Sequence, residues 1–423
     1  MPGDEFSDLR EGVAAVRSRD GVLLYDAYRA RLLFVPSGRS GSKLRGWLSA
    51  QGVSADVPVP PISPRLAQIF MVSPRHVPDS SLKSTPEARF TCSACGTSCR
   101  TLNLGPLFPA DVDRLLDLEW SGTGYDPRRF FCDRDGEEVD EERVASRHSL
   151  FLRRENGACQ FLRADNLCDV HARFGMAAKP YMCRAFPIQL RASPTGIVVG
   201  MRLGECMRAE AALLGPEIAA HPAAIHALLE ELPVVPLLPP LVWLDEGCLV
   251  TWEEYESLEQ ALHREAAAEG GGIAFLLRAV DAVSRRAGAP LPRPCPPEKL
   301  AMLRGWALEA EGQGSMSGAR ASASALGDAA RRLEERIARL VLFNKDAFQH
   351  SDVLSGLSQL VVSLWLARER ALFHAGGEGA PLASGGHLNR GMKEQTLAPL
   401  RDHLRDSGLD PRAVAACIAQ TFR

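Results

Sequence analysis

Seven cysteines carry the clearest chemical potential in this chain: Cys92, Cys95, Cys99, Cys159, Cys168, Cys183 and Cys206, with Cys132 as an eighth inside the same block. Only Cys248, Cys295 and Cys417 follow in the rest of the sequence. Thiolate is a soft ligand, and tetrahedral zinc or an iron-sulfur cluster is held by such groups in fours. Two residues separate Cys92 from Cys95, so both thiols can converge on one cation, and Gly96 permits the tight turn that such knuckles need. Three close thiols then require partners from elsewhere, which the later cysteines can supply. The number of thiols allows one or two four-ligand zinc sites, or an iron-sulfur cluster with some thiols left structural; the spacing does not choose between them.

The competing readings are buried structural thiols and disulfides. Cysteine packs well as a small hydrophobe, but packing gives no reason to place it on turns. Disulfides require an oxidising compartment, and Met1 to Arg10 carries charges where an export signal needs an apolar stretch, so a cytoplasmic protein is expected. The order Cys-x2-Cys-x3-Cys reverses the spacing of radical enzymes that cleave S-adenosylmethionine, and that chemistry is not assigned. Three further side chains have two readings each. His171, three residues after Cys168, is a nitrogen ligand or a histidine packed beside the centre. Arg184 donates to a ligand sulfur or forms a surface ion pair. Cys132 is a ligand or an incidental thiol. No catalytic residue can be named.

Four short motifs occur in order: Cys92-x2-Cys95-Gly96, Cys159-x-Phe161-Leu162, Cys168-x-Val170-His171, and Pro180-x2-Cys183-Arg184-x-Phe186-Pro187. Together they resemble the YkgJ-type cysteine-cluster family over roughly residues 88 to 208. The stretch from His171 to Gly175 before Lys179 and Pro180 is similar to the flagellin lysine-N-methylase branch. The resemblance implies a metal centre held by the seven cysteines, an iron-sulfur cluster in preference to zinc, S-adenosylmethionine as a second cofactor, and N-methylation of lysine on a protein partner. The alternative is a non-enzymatic scaffold or interaction protein stapled by metal. Two positions depart from the family: Ser98 stands where a cysteine is usual, and Lys179 replaces an arginine, keeping the charge but losing the bidentate fork. A methylase needs a pocket for S-adenosylmethionine, yet the chain has no Rossmann-type glycine loop. Gly270 to Gly272 follow a helical pattern rather than a strand, so they read as a helix C-cap.

The chain is large enough to position such a centre without relying on it for a core. It has 423 residues, 46% hydrophobic and 24% charged, and its net charge of −3 excludes the electrostatic footprint of a nucleic-acid binder. No apolar run is long enough to span a membrane. Residues 1 to 56 read as a β-meander with bursts at 13–16, 22–25 and 31–35, followed by a short helix at 42–51. Residues 57 to 87, rich in Pro and Ser, read as a linker or a strand-like arm lying on the surface. Within the cysteine-cluster domain at 88 to 208, Pro109 starts a short helix, with Asp111 favouring its dipole, and a hairpin turns at Ser193 to Gly196. Residues 209 to 423 read as a helical domain, with Pro233 to Leu244 as an extended connector. There Thr251 and Glu254 form a capping box, and Leu326, Ala330, Leu333, Ile337 and Leu340 make one buried stripe. The expected fold class is α-rich α+β: a small β-containing N-terminal subdomain, an irregular cysteine-rich metal module and an all-helical C-terminal domain.

Overall fold

Three strands, β1 (Val13–Ser18), β2 (Gly21–Asp26) and β3 (Arg31–Pro36), form an antiparallel meander closed by helix α1 (Gly41–Ala50). The structure, a computed structural model, describes residues 6–18, 20–61, 69–76, 82–92, 94–202, 215–264, 271–309, 328–375 and 394–421. The apolar run in β2 has no polar alternation because both of its faces are covered. Leu24 packs with Val35, Leu44 and Leu48 under α1, whereas Leu23 enters the core of a second sheet.

That second sheet has five strands. The central hairpin, β10 (Ile188–Ser193) and β11 (Gly196–Met201), turns through Pro194 and Thr195 as its turn residues predict. Its edges are β4 (Phe70–Val72) and β5 (Leu82–Lys83), with β5 parallel to β11. The stretch expected as a linker therefore supplies both sheet edges. The fifth strand, β12 (Val235–Leu237), lies between β10 and β4. It falls inside the segment expected as an extended connector. Pro236 cannot donate to a ladder, and the strand is correspondingly only three residues long.

Between the edge strands and the hairpin runs the cysteine-bearing stretch, built from very short elements. These are α2 (Thr97–Thr101), α3 (Pro109–Leu116), β6 (Phe131–Cys132), α4 (Glu141–Ser146), β7 (Phe151–Leu152), β8 (Arg154–Glu155), β9 (Ala158–Cys159), α5 (Asp169–Phe174) and α6 (Tyr181–Ala185). They share an aromatic core in which Trp120 stacks on Phe161, with centroids 5.5 Å apart, and meets Phe130 edge-on at 4.7 Å. Cys99, Cys168 and Cys183 pack against the rim of this core, and Cys159 lies within it.

The remainder contains α7 (Pro222–Glu231), the hairpin β13 (Leu241–Asp245) and β14 (Cys248–Thr251), then α8 (Trp252–Arg264), α9 (Gly271–Ala287), α10 (Pro297–Glu309), α11 (Asp328–Phe343), α12 (Val353–Ala375), α13 (Glu394–Asp406) and α14 (Pro411–Thr421). The expectation of an all-helical C-terminal region is corrected by β12, β13 and β14. Pro236 inside β12 masked the strand character of that segment in the sequence. At coarse level the chain is α+β, with helix outweighing sheet.

Helix α12 is apolar on nearly every side because α9, α10, α13 and α14 all pack around it. Among the described residues, no helix is long and apolar enough to cross a membrane. The capping box forms as expected: the Thr251 amide donates to Glu254 Oε2 at 2.9 Å, and the Glu254 amide donates to Thr251 Oγ1 at 3.2 Å. Leu333, Ile337 and Leu340 are buried on α11, while Leu326 lies outside the described residues. Gly271 and Gly272 open α9, while Gly270, also read as part of a helix C-cap, lies outside the described residues. Glu334 of α11 accepts the Ile273 amide at 3.0 Å, and a Cβ on Gly272 would stand 2.3 Å from the Glu334 carbonyl oxygen. Glycine is required there by the close approach of two helices.

Candidate metal centre

Four separated stretches deliver the cysteines. Cys95 sits between Ala94 and Gly96, both in the left-handed region at φ 51° and 64°, so the backbone doubles back just before α2. Arg100 locks this turn: Nη1 donates to the Cys95 carbonyl at 3.2 Å, and Nη2 to Asn166 Oδ1 at 2.5 Å. Asn166 belongs to the turn that leads into Cys168, and one guanidinium thus ties two cysteine-bearing segments together. Cys168 caps the N-terminus of α5, Cys159 ends β9, and Cys183 lies in α6.

These segments meet. Cys99 is within electrostatic reach of Cys92, Cys95 and Cys168; Cys183 feels Cys99 and Cys168; and Cys159 feels all three of Cys183, Cys99 and Cys168. Six of the seven expected ligands therefore share one locality, and the seventh, Cys206, lies outside the described residues. Burial pushes the Cys99 thiol up, the Cys183 thiol up to about 12, and the Cys159 thiol higher still, and the neighbouring sulfurs raise each further. Lys179 opposes this at Cys99 and Cys183. Lys179 thus brings a positive charge to the gathered thiols.

Among the described residues, no three His, Cys, Asp or Glu side chains are drawn close enough to hold a metal ion. The six sulfurs are gathered but have not reached ligand spacing, for which zinc requires sulfur at about 2.3 Å. Their chemistry fits a thiophilic cation. Burial and the neighbouring sulfurs raise the Cys99, Cys159 and Cys183 thiols, and a divalent charge would supply the stabilisation of thiolate that Lys179 alone provides weakly.

The other expected residues fall elsewhere. Cys132 is buried on β6, where its thiol donates to the Phe151 carbonyl at 3.7 Å and burial raises its pKa. Its charged neighbours are Asp133 and Arg153, not the other thiols. His171 is exposed on α5. Arg184 forms the ion pair: Nη1 donates to Glu231 Oε1 at 2.7 Å, Nη2 meets the other carboxylate oxygen, and Nε donates to the Lys179 carbonyl at 2.8 Å. Its hydrogen bonds hold the Glu231 carboxyl below the usual range, and Arg184 thereby fastens the Lys179 backbone to α7.

Asp111 was read only as a helix-dipole residue, and its larger role was missed. It is 2% exposed, its Oδ1 accepts the Tyr181 amide at 2.8 Å, and Arg114 donates to the same oxygen at 2.5 Å. Burial raises its carboxyl pKa, and its charge is felt at Cys183. It therefore sets the start of the helix that carries Cys183. A contact spanning seventy positions leaves no local trace in a sequence.

Comparison with known proteins returns no matching family model, curated protein or solved structure.

Proposed function

We propose that this chain binds a thiophilic metal through Cys92, Cys95, Cys99, Cys159, Cys168 and Cys183, with Cys206 completing the expected donor set. The observation that carries the reading is convergence: Cys99 is within electrostatic reach of Cys92, Cys95 and Cys168, Cys159 and Cys183 are within reach of Cys99 and Cys168, and Lys179 acts on Cys99 and Cys183. Packing alone does not account for so many titratable sulfurs in one place. When bound, the metal would hold these short elements together and supply Lewis-acid or redox chemistry according to its identity. Lys179 would offset negative charge on the thiolates, Arg184 would hold the Lys179 backbone, and Asp111 would orient the Cys183 helix.

The resemblance to the cysteine-cluster family favours an iron-sulfur cluster over zinc. It also supports S-adenosylmethionine-dependent lysine N-methylation of a protein, for which a neutral amine must be aligned with the methyl donor. A metal-stapled interaction protein is the second reading. Protein purified without oxygen is expected to contain iron and sulfide and to absorb visible light. Stoichiometric zinc without iron removes the cluster assignment, and protein with neither metal removes the centre itself. Calorimetry of metal-replete full-length chain with S-adenosylmethionine separates the two functional readings, because absence of binding leaves only the scaffold.

A further inference from the structure

A second site, unrelated to the thiols, lies where β5 and the residues after it face α8 and the turn following α11. The cavity there has a volume of about 580 Å³, within the range of about 300–1,000 Å³ typical of small-molecule sites. We propose that it binds a free α-amino acid with an apolar side chain, its ammonium directed to Glu87 and its carboxylate to Arg264.

The argument begins with charge. Three cations, Lys83, Lys345 and Arg264, and three carboxylates, Glu87, Glu256 and Glu259, line the cavity. Two pairs are internal to the wall: Lys83 Nζ to Glu256 Oε1 at 2.5 Å, and Lys345 Nζ to Glu259 Oε1 at 2.6 Å. The second pair is buried on both sides, at 3% and 5% side-chain exposure, and Lys345 adopts the left-handed region at φ 62° to make it. One carboxylate and one guanidinium of the lining then stand outside these pairs. Glu87 accepts a hydrogen bond from the Thr85 hydroxyl and lies within electrostatic reach of Arg336, which does not line the cavity. Arg264 is exposed and ends α8. A lining with balanced charge attracts neither a simple cation nor a simple anion, and it suits a ligand that carries both signs.

Polarity and shape add two constraints. Ser84 and His263 line the cavity, but their Oγ and Nε2 atoms are buried away from it. Burial lowers the His263 pKa to about 4, so the ring is neutral near pH 7 and does not upset the charge balance. Between the polar groups, Leu82, Pro86, Val198 and Phe343 provide the surface for an apolar side chain.

The test uses full-length protein and three probes of matched skeleton: L-leucine, isoamylamine, which lacks the carboxylate, and isocaproate, which lacks the ammonium. Calorimetry is expected to show L-leucine binding at least about tenfold more tightly than either analogue. Glu87→Gln should abolish the preference for leucine over isocaproate, and Arg264→Gln the preference over isoamylamine. Neither residue is in the buried pair, so thermal denaturation should confirm that both variants fold. No binding by any probe, equal binding by all three, or an undiminished preference in both charge variants would each overturn the proposal.

Discussion

Cys183 and Cys417 both sit on helices, yet their surroundings make them different groups. Cys183 lies on the five-residue α6, among other thiols, beside a lysine and within reach of a buried carboxylate. Cys417 lies on α14 inside the large apolar cluster around α12, touching one other thiol, Cys295, whose pKa burial pushes up to about 11. The elements around Cys183 are strands of two residues and helices too short to persist alone. Those around Cys417 are held by burial of leucine, valine and isoleucine. Where apolar packing suffices, a thiol is a small hydrophobe. Where the backbone is irregular, several thiols sharing a ligand can replace missing secondary structure.

The largest expected effect breaks this comparison at its centre. Cys183→Ser should remove most of the bound metal and lower thermal stability with it, because ligand bonds contribute to folding free energy. Cys417→Ser should cost roughly 1–3 kcal/mol by burying a hydroxyl while leaving metal content intact. Metal analysis alongside thermal denaturation checks both variants, and equal metal loss would abolish the distinction.

Acid should separate the regions next. Burial lowers both His263 and His350 to about 4, against an ordinary value near 6.5. A histidine depressed in the folded state adds stability that is fully present above pH 6.5 and is lost as pH falls through about 4, since the unfolded chain takes up the proton first. Each should therefore contribute roughly 2–3 kcal/mol of acid sensitivity. Urea denaturation of metal-free protein at pH 7.5 and pH 5 should retain this slope, and His350→Gln should roughly halve it, His263 keeping the rest. A slope that vanished with the metal would place the sensitivity in the thiols instead.

The smallest effect lies wholly in the helical region. Thr251→Ala removes one half of a capping box and should cost about 1 kcal/mol, read by urea denaturation, with metal content unchanged.

Legibility in the sequence followed the range of the interactions concerned. The hairpin at Pro194 and Thr195, the capping box at Thr251 and Glu254, and the meander from Val13 to Pro36 are written in adjacent residues, and all three form. The strand β12 was hidden because proline suppresses a local strand signal even where a neighbouring strand can pair. The role of Gly271 and Gly272 at the start of α9 left no local trace because its reason is Glu334, on a helix far along the chain. For Arg184 the sequence left open an ion pair or a sulfur contact, and Glu231 decided between them.

By itself, the sequence determined that thiols are concentrated in one block, that this block is punctuated by turns, and that a large apolar remainder folds mainly as helices. Those properties depend on composition and on neighbours within a few positions. Only the tertiary structure decided that Cys92, Cys95, Cys99, Cys159, Cys168 and Cys183 share a locality while Cys132 does not, and that Lys179 and Asp111 border it. The reason is physical: a thiol's chemistry depends on the charges and burial around its sulfur, and segments distant in sequence supply both.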